Sequence, residues 1–179
     1  MVKIKTVKID STRAHELSEL AIKIYKENFL HLWYDGGAEW YMKKSYAPEV
    51  VAEELIDPNN LHYIAYDNEQ PVAYLKIRLN ESLINFESKN CLEVERIYIL
   101  NAFKGVGLGK MLMQIADDLA LDLKKDIVFL KAMDSSTDPI AFYNKLGYEI
   151  CGTLTLPFEH MKVEYRGMVI MKKDLDKSA

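Results

Sequence analysis

The spacing of hydrophobic and polar residues divides the chain into alternating strand and helix signals. Residues 2–9 alternate, with Val2, Ile4, Thr6 and Lys8 opposed to Lys3, Lys5, Val7 and Ile9, which predicts a first strand. Asp10, Ser11 and Thr12 then offer N-cap oxygens, and Leu17, Leu20, Ala21, Ile24 and Tyr25 follow at helical spacing. Gly36-Gly37 breaks this helix from a second one near 38–45, and Pro48 opens a third that Asp57-Pro58 stops. The runs 62–67 and 72–79 flank Asn68-Glu69-Gln70-Pro71 and predict a hairpin. A turn-rich stretch, 80–90, leads to a strand over 92–100, a glycine-rich loop and an amphipathic helix over 110–123. A strand over 127–133, a short helix over 139–146 ended by Gly147, and strands over 148–154 and 168–172 complete the pattern. Strands before, between and after helices indicate an α/β or α+β sheet protein, not a bundle or a sandwich.

Length and composition narrow the class. At about 100–200 residues per domain, 179 residues make one domain, and no repeat or linker divides it. The formal charge of −4 argues against broad nucleic-acid binding, which needs a basic face, and leaves room for a local basic pocket. Cys91 and Cys151 lie in apolar strand contexts without a CxxC or a histidine cluster, as reduced buried thiols of a cytoplasmic protein would. The histidines His15, His31, His62 and His160 are scattered and read as structural or surface residues, so no metal site is expected. The start lacks the apolar core of a signal peptide, and no stretch reaches the roughly 18 apolar residues of a membrane span.

The strongest chemical signal is Lys104-Gly105-Val106-Gly107-Leu108-Gly109-Lys110, placed between a strand and a helix. Alternate glycines let the backbone curl and admit a ligand closely. The amides and dipole of the following helix start favour an anion, and Lys104 and Lys110 add positive charge. The pattern lacks the GxxxxGK[ST] of a P-loop and the GxGxxG of a dinucleotide fold. An ordinary strand–helix turn is the plain alternative.

The run from Leu92 to Leu112 resembles the acetyl-CoA motif of the GCN5-related N-acetyltransferase (GNAT) superfamily, Q/R-x-x-G-x-G/A. Lys104 stands where Gln or Arg is usual, and Gly107 and Gly109 match. Pro139-Ile-Ala-Phe-Tyr-Asn-Lys-Leu-Gly-Tyr resembles the same family's A-x-x-F-Y-x-x-x-G-F/Y motif, in the family's order. Within the family, Glu93–Tyr98 is most similar to PaiA-like polyamine (spermidine/spermine) acetyltransferases. The resemblance implies a single GNAT domain over 1–179: a mixed, mostly antiparallel sheet with a V-shaped splay between central strands and helices on both faces. It implies acetyl-CoA as cosubstrate, with the backbone of Ile97, Tyr98 and Ile99 pairing to the pantetheine arm. The turn Lys104, Gly105, Val106, Gly107, Leu108, Gly109 and Lys110 would wrap the pyrophosphate. Lys145 would lie near the 3′-phosphate or adenine, and Asp138 stands where an Asn usually touches pantetheine. Tyr143 would be the general acid for the departing thiolate.

Acetyl transfer to an amine needs a free base form of the amine, an oxyanion donor and a proton for the thiolate. Tyr143 has a phenol that is protonated at neutral pH; without the motif it reads as a packed helix aromatic. Glu93 and Glu95 alternate in an otherwise apolar strand. For Glu93 a base and an ion-pair role stay open equally, since some family members use a glutamate at that place; Glu95 reads as structural or as a contact for the substrate cation. Tyr25, Phe29 and Trp33 sit at i, i+4 and i+8, and Tyr34, Trp40, Tyr41 and Tyr46 follow. Tyr25 and Phe29 read as core, whereas Trp33 and Tyr34 are expected on the acceptor side, where rings suit an alkylammonium. With no Ser or Cys in a nucleophile context, direct attack in a ternary complex is expected. The expected partner is a small-molecule amine such as a polyamine, with a peptide acceptor or a non-catalytic acyl-CoA module as alternatives. A homodimer stays open.

Overall fold

The computed structural model describes residues 3–175; Val2, the first residue of the first predicted strand, lies outside the described residues. Seven strands, β1 (Ile4–Ile9), β2 (Asn60–Asp67), β3 (Gln70–Glu81), β4 (Cys91–Ile99), β5 (Ile127–Met133), β6 (Glu149–Thr155) and β7 (Gly167–Asp174), form one sheet in the order β1-β2-β3-β4-β5-β7-β6. Every neighbouring pair is antiparallel except β4 and β5. The helices are α1 (Ala14–Asn28), α2 (Gly37–Tyr46), α3 (Pro48–Ile56), α4 (Leu108–Asp122) and α5 (Thr137–Lys145). This is the α/β sheet that the sequence pattern and the family resemblance lead to, with helices on both faces.

The two faces follow from strand alternation. Tyr74 pairs with Tyr98 and Lys76 with Arg96 across β3 and β4, and their side chains meet α1–α3. The Phe29 ring packs on Tyr98 at 5.3 Å, and Tyr25 clusters with Tyr41 and Tyr46. Ile99, on the opposite face, lies against the start of α4 beside Phe142 of α5. Among the described residues no helix is long and apolar enough to cross a membrane.

Local chemistry explains most boundaries. Asp10 Oδ1 accepts the Thr12 amide at 2.9 Å, capping a short 3-10 turn that runs into α1. Pro48 occupies the first turn of α3, where its missing N–H is not needed. The β2–β3 hairpin is tighter than the four-residue turn of the sequence reading: Asp67 pairs with Gln70 around Asn68-Glu69, Asn68 adopting φ 54°. Pro71 falls inside β3, where a register shift at Ala65/Tyr66 tolerates it.

The aromatic run also departs from its helical spacing. α1 ends at Asn28, whose Nδ2 donates to Ile24 O at 2.9 Å, and Phe29 is the C-cap. After a 3-10 turn over Leu30–Leu32, Trp33 is extended and bridges to Met161. Its ring is buried against Tyr41, and Nε1 donates to Tyr25 Oη at 2.8 Å. Trp33 therefore builds the core; it is not an open acceptor ring.

Burial pushes the phenols of Tyr25, Tyr46, Tyr74, Tyr98 and Tyr148 well above their ordinary value near 10. Raised native values stabilise the fold fully below the unfolded value, because above it only the unfolded chain sheds these protons. Denaturation free energy is therefore expected to hold up to about pH 10 and then fall, by roughly 1.4 kcal/mol per pH unit for each such tyrosine. Chemical denaturation between pH 8 and 11, on the order of one curve per half unit, reads this slope; a flat profile above 10 would show that these rings are open to water.

Candidate active site

The β4–β5 ladder pairs Cys91–Val94 with Ile127–Leu130 and then stops, although both strands continue. β4 stays buried through Val94 and becomes half-buried from Glu95 to Ile99. On the β3 side the register shifts at Lys76/Ile77: Val94 faces Ile77 and Arg96 faces Lys76, so Glu95 has no partner. Glu95 is a β-bulge, set where the central strands part. The peptide groups of Ile97, Tyr98 and Ile99 on the β5 side are thus left without a β5 partner, at an opening between the strands, as ladder groups that a bound chain of amides can satisfy.

The glycine turn adjoins this opening, with Gly109 beside Ile99. Gly107 is the N-cap of α4 with φ 88°, and Gly105 has φ 78°, conformations that disfavour a side chain. The first backbone bond of α4 is Met111 N to Gly107 O at 3.1 Å, so the amides of Leu108, Gly109 and Lys110 have no upstream carbonyl within the helix. Gly109 serves packing instead: a Cβ there would stand 3.3 Å from Phe142 Cζ and 3.6 Å from Ile99 Cδ1. Absence of a side chain lets α4, α5 and β4 meet. Lys104 and Lys110 are exposed, and Lys104 Nζ reaches Asn28 Oδ1 at the end of α1, 2.5 Å away. The turn thus combines two left-handed glycines with first-turn amides that lack a helical acceptor, chemistry that suits an anion.

Tyr143 projects from α5 with its ring on Phe142 and Tyr148. Burial pushes its phenol up to about 12, so it holds its proton far beyond neutral pH. Asp138 and Lys145 are exposed on the same helix.

The two strand carboxylates are already engaged. Glu93 is buried, with Oε1 2.8 Å from Lys131 Nζ and Oε2 3.9 Å from Arg78. Glu95 Oε2 lies 2.7 Å from Lys76 Nζ, and Oε1 is 3.7 Å from Arg96. Of the two roles left open for Glu93, the ion pair is the one with partners in the structure. Trp33 is buried, whereas Tyr34 is exposed beside it, its amide bonded to His160 O at 3.0 Å.

Sequence reasoning missed Glu54. From α3 it reaches Lys76 at 2.9 Å and Arg96 at 2.9 Å, with His62 Nε2 3.6 Å away. Burial pushes its carboxyl up, but His62, Arg96 and Lys76 outweigh that and hold it at about 2. Burial pushes His62 down, aided by Lys76 and Arg96 against the pull of Glu54, so the ring stays neutral at pH 7. The signal available was thin: one glutamate among three in α3, with no motif around it.

A sequence model described as the acetyltransferase (GNAT) family matches residues 15–148. Two relatives carry the name of uncharacterized N-acetyltransferases. One, in the pepI 3′ region of Lactobacillus delbrueckii subsp. lactis, is 24% identical over 60% of this chain and 62% of its own length. The other, YjcF of Bacillus subtilis, is 29% identical over 56% of this chain and 66% of its own length. The chain thus spans less than two thirds of each of these relatives. The crystal structure of PaiA N-acetyltransferase from Thermoplasma acidophilum, in complex with coenzyme A, superposes with a TM-score of 0.77 at 16% identity, over 97% of this chain and 99% of that one.

A carboxyl held near 2 in the fold and near 4.5 when unfolded stabilises the protein above pH 4.5, and that contribution is lost as pH falls toward 2. Glu54→Gln is expected to remove this part of the acid slope in urea titrations, leaving a shallower dependence below pH 4.5. An acid slope identical to that of the parent would show that Glu54 is not held ionised.

Proposed function

This chain belongs to the acetyltransferase (GNAT) family, and on that premise we propose that it is an acetyl-CoA-dependent N-acetyltransferase acting on the primary amine of a small molecule, by direct attack in a ternary complex. The reading is supported by three features: a β4 edge left unpaired beyond Val94, a glycine turn whose first helical amides are unbonded within α4 beside Ile99, and a phenol that burial keeps protonated. They fit the three parts of the cosubstrate, an amide-bearing arm, a pyrophosphate and a thioester. Acetyl-CoA supplies the activated acyl group. The backbone of Ile97, Tyr98 and Ile99 would hold the arm as an added strand, and the turn from Lys104 to Lys110 would take the pyrophosphate. Asp138 and Lys145, both on α5, would serve the pantetheine and the 3′-phosphate or adenine end.

Chemistry then asks little of side chains. A strand amide at the splay would donate to the developing oxyanion, a fixed dipole that needs no reorganisation. Tyr143 would give its proton to the departing thiolate, as a catalytic acid whose burial keeps it loaded. The amine would attack directly, since the cleft presents no activated serine or cysteine: burial pushes both Cys91 and Cys151 up, away from thiolate. With Glu93 held by Lys131, we assign it to the wall of the cleft, and the amine proton passes to water.

As acceptor we propose a polyamine first, on the similarity of the Glu93–Tyr98 strand to that subfamily and on the exposed rings of Tyr34 and Trp40, from the segment the family resemblance sets on the acceptor side. A second reading, a peptide or other amine with a single ammonium, is favoured by the charge balance. Glu93 and Glu95 are matched by Lys131, Lys76 and Arg96, so the wall offers little surplus negative charge to a polycation.

Two experiments test this. Gly107→Val imposes a β-branched side chain on a left-handed turn, and coenzyme A is expected to bind at least about 10-fold more weakly by calorimetry; the backbone strain, about 1–3 kcal/mol, lowers the melting temperature by several degrees without unfolding the chain, since a Cβ there meets no other atom. Undiminished affinity would place the cofactor elsewhere. A thiol-release assay with acetyl-CoA across polyamines, amino acids and peptides should find one turning-over class, and Tyr143→Phe should lower kcat on it by about 10²-fold. Coenzyme A binding without any turnover would leave a non-catalytic acyl-CoA module; full activity of Tyr143→Phe would remove the acid role.

A further inference from the structure

The bulge at Glu95 is stabilised from outside the cleft. Lys76 is almost fully buried, and its ammonium sits between two carboxylates, Glu54 at 2.9 Å and Glu95 at 2.7 Å. Arg96 repeats the arrangement. Its guanidinium donates to Glu54 Oε2 at 2.9 Å and Oε1 at 3.3 Å, approaches Glu95 Oε1 at 3.7 Å and lies over the Tyr46 ring at 5.2 Å. Two buried cations thus bridge one carboxylate on α3 to one on the bulge. Lys76 and Arg96 are also cross-strand partners immediately beside the register shift. The cluster therefore holds β3, β4 and α3 in one register, at the residue where β4 leaves β5.

We propose that Glu54 is a positioning residue for acetyl transfer: from α3, through Lys76 and Arg96, it fixes the bulge at Glu95 and so aims the free amides of the β4 edge into the cleft. Glu54 touches neither the glycine turn nor Tyr143. Its effect runs through charge balance. With Glu54 present, each cation is shared between two anions, and Glu95 keeps one orientation. Without its charge, Glu95 is the nearest anion left to both cations; a buried cation left short of a partner is costly enough to pull the strand toward it. A shift of that kind at β4 moves the amides that face the acyl group, and displacement by about 1 Å of a group aligned with a reacting centre costs roughly 10²-fold in rate.

The inference rests on the acetyl-transfer reading for its kinetic consequence but not for its geometric one, and the test separates them. Full-length protein, uniformly labelled with 15N, is compared as parent, Glu54→Gln and Glu54→Asp by amide chemical shifts, by coenzyme A affinity and by kcat. Glu54→Gln is expected to displace the amides of 95–99 while leaving those of 108–110 in place. It should hold coenzyme A affinity within about 2-fold and lower kcat by at least about 10-fold, and Glu54→Asp, which keeps the charge, should recover most of the loss. Unmoved amides over 95–99, or parent kcat in Glu54→Gln, would overturn the proposal. Equal shifts across the whole sheet with no recovery in Glu54→Asp would also overturn it, as the signature of a purely structural residue. If Glu54→Gln does not fold, the pair Glu54→Gln with Lys76→Met removes one charge of each sign and is expected to fold with the amides of 95–99 still displaced; parent-like shifts there contradict the proposal. If the parent turns over no amine, the acetyl-transfer reading fails, while the amide shifts, measured in free protein, still decide whether Glu54 sets the bulge.

Discussion

The ladder between β4 and β5 ends after Val94 and Leu130, and that break is the constraint on which the rest of the molecule depends. A parallel strand pair in the middle of a sheet would normally stay closed, because unpaired backbone groups in a core are costly. Here the cost falls where β4 also carries an extra residue, so the strand bends away at the position that loses its neighbour. The opening leaves a row of peptide groups at the centre of the sheet, with the start of α4 and Phe142 of α5 beside Ile99.

Neutrality of the cleft wall follows from the same place. A bulge in a buried sheet cannot be filled by apolar packing alone, and this chain fills it with Glu54, Lys76, Glu95 and Arg96, next to the Glu93–Lys131 pair. Each carboxylate is in contact with a cation, which removes the expense of an isolated buried charge. Little charge is then left over for recognition. In the proposed reading, anion recognition would fall to main-chain amides of the glycine turn, and proton supply to a phenol that burial keeps neutral. The protein separates its structural charges from its chemical groups.

Much of this was legible in the sequence because it depends on local pattern. Strand and helix periods placed all seven strands and five helices within a few residues, since each buries a face that the alternation marks. The turn from Lys104 to Lys110 could be found because Gly105 and Gly107 need positive φ, a requirement that only composition at fixed places records. Gly109 was found with them, but for another cause, close packing on Phe142 and Ile99, which no local rule distinguishes. The failures are non-local. Trp33 carried on a helical spacing from Tyr25, yet α1 stops at Asn28; its ring is claimed by Tyr41 and its backbone by a bridge to Met161, both from elsewhere in the chain. Glu93 stayed open between base and ion pair because Lys131, a strand away, is invisible to a reading along β4. Glu54 carried no signal, since its importance arises from Lys76 and Arg96 meeting across strands.

The central claim is that the open edge of β4 and the start of α4 form one cleft for a single ligand. Amide hydrogen exchange with and without coenzyme A tests it most directly. The account predicts that coenzyme A slows exchange together at Ile97–Ile99 and at Leu108–Lys110, and leaves the closed ladder at Cys91–Val94 unchanged. Protection confined to other surfaces, or protection of the glycine turn with β4 exchanging as freely as before, would contradict it.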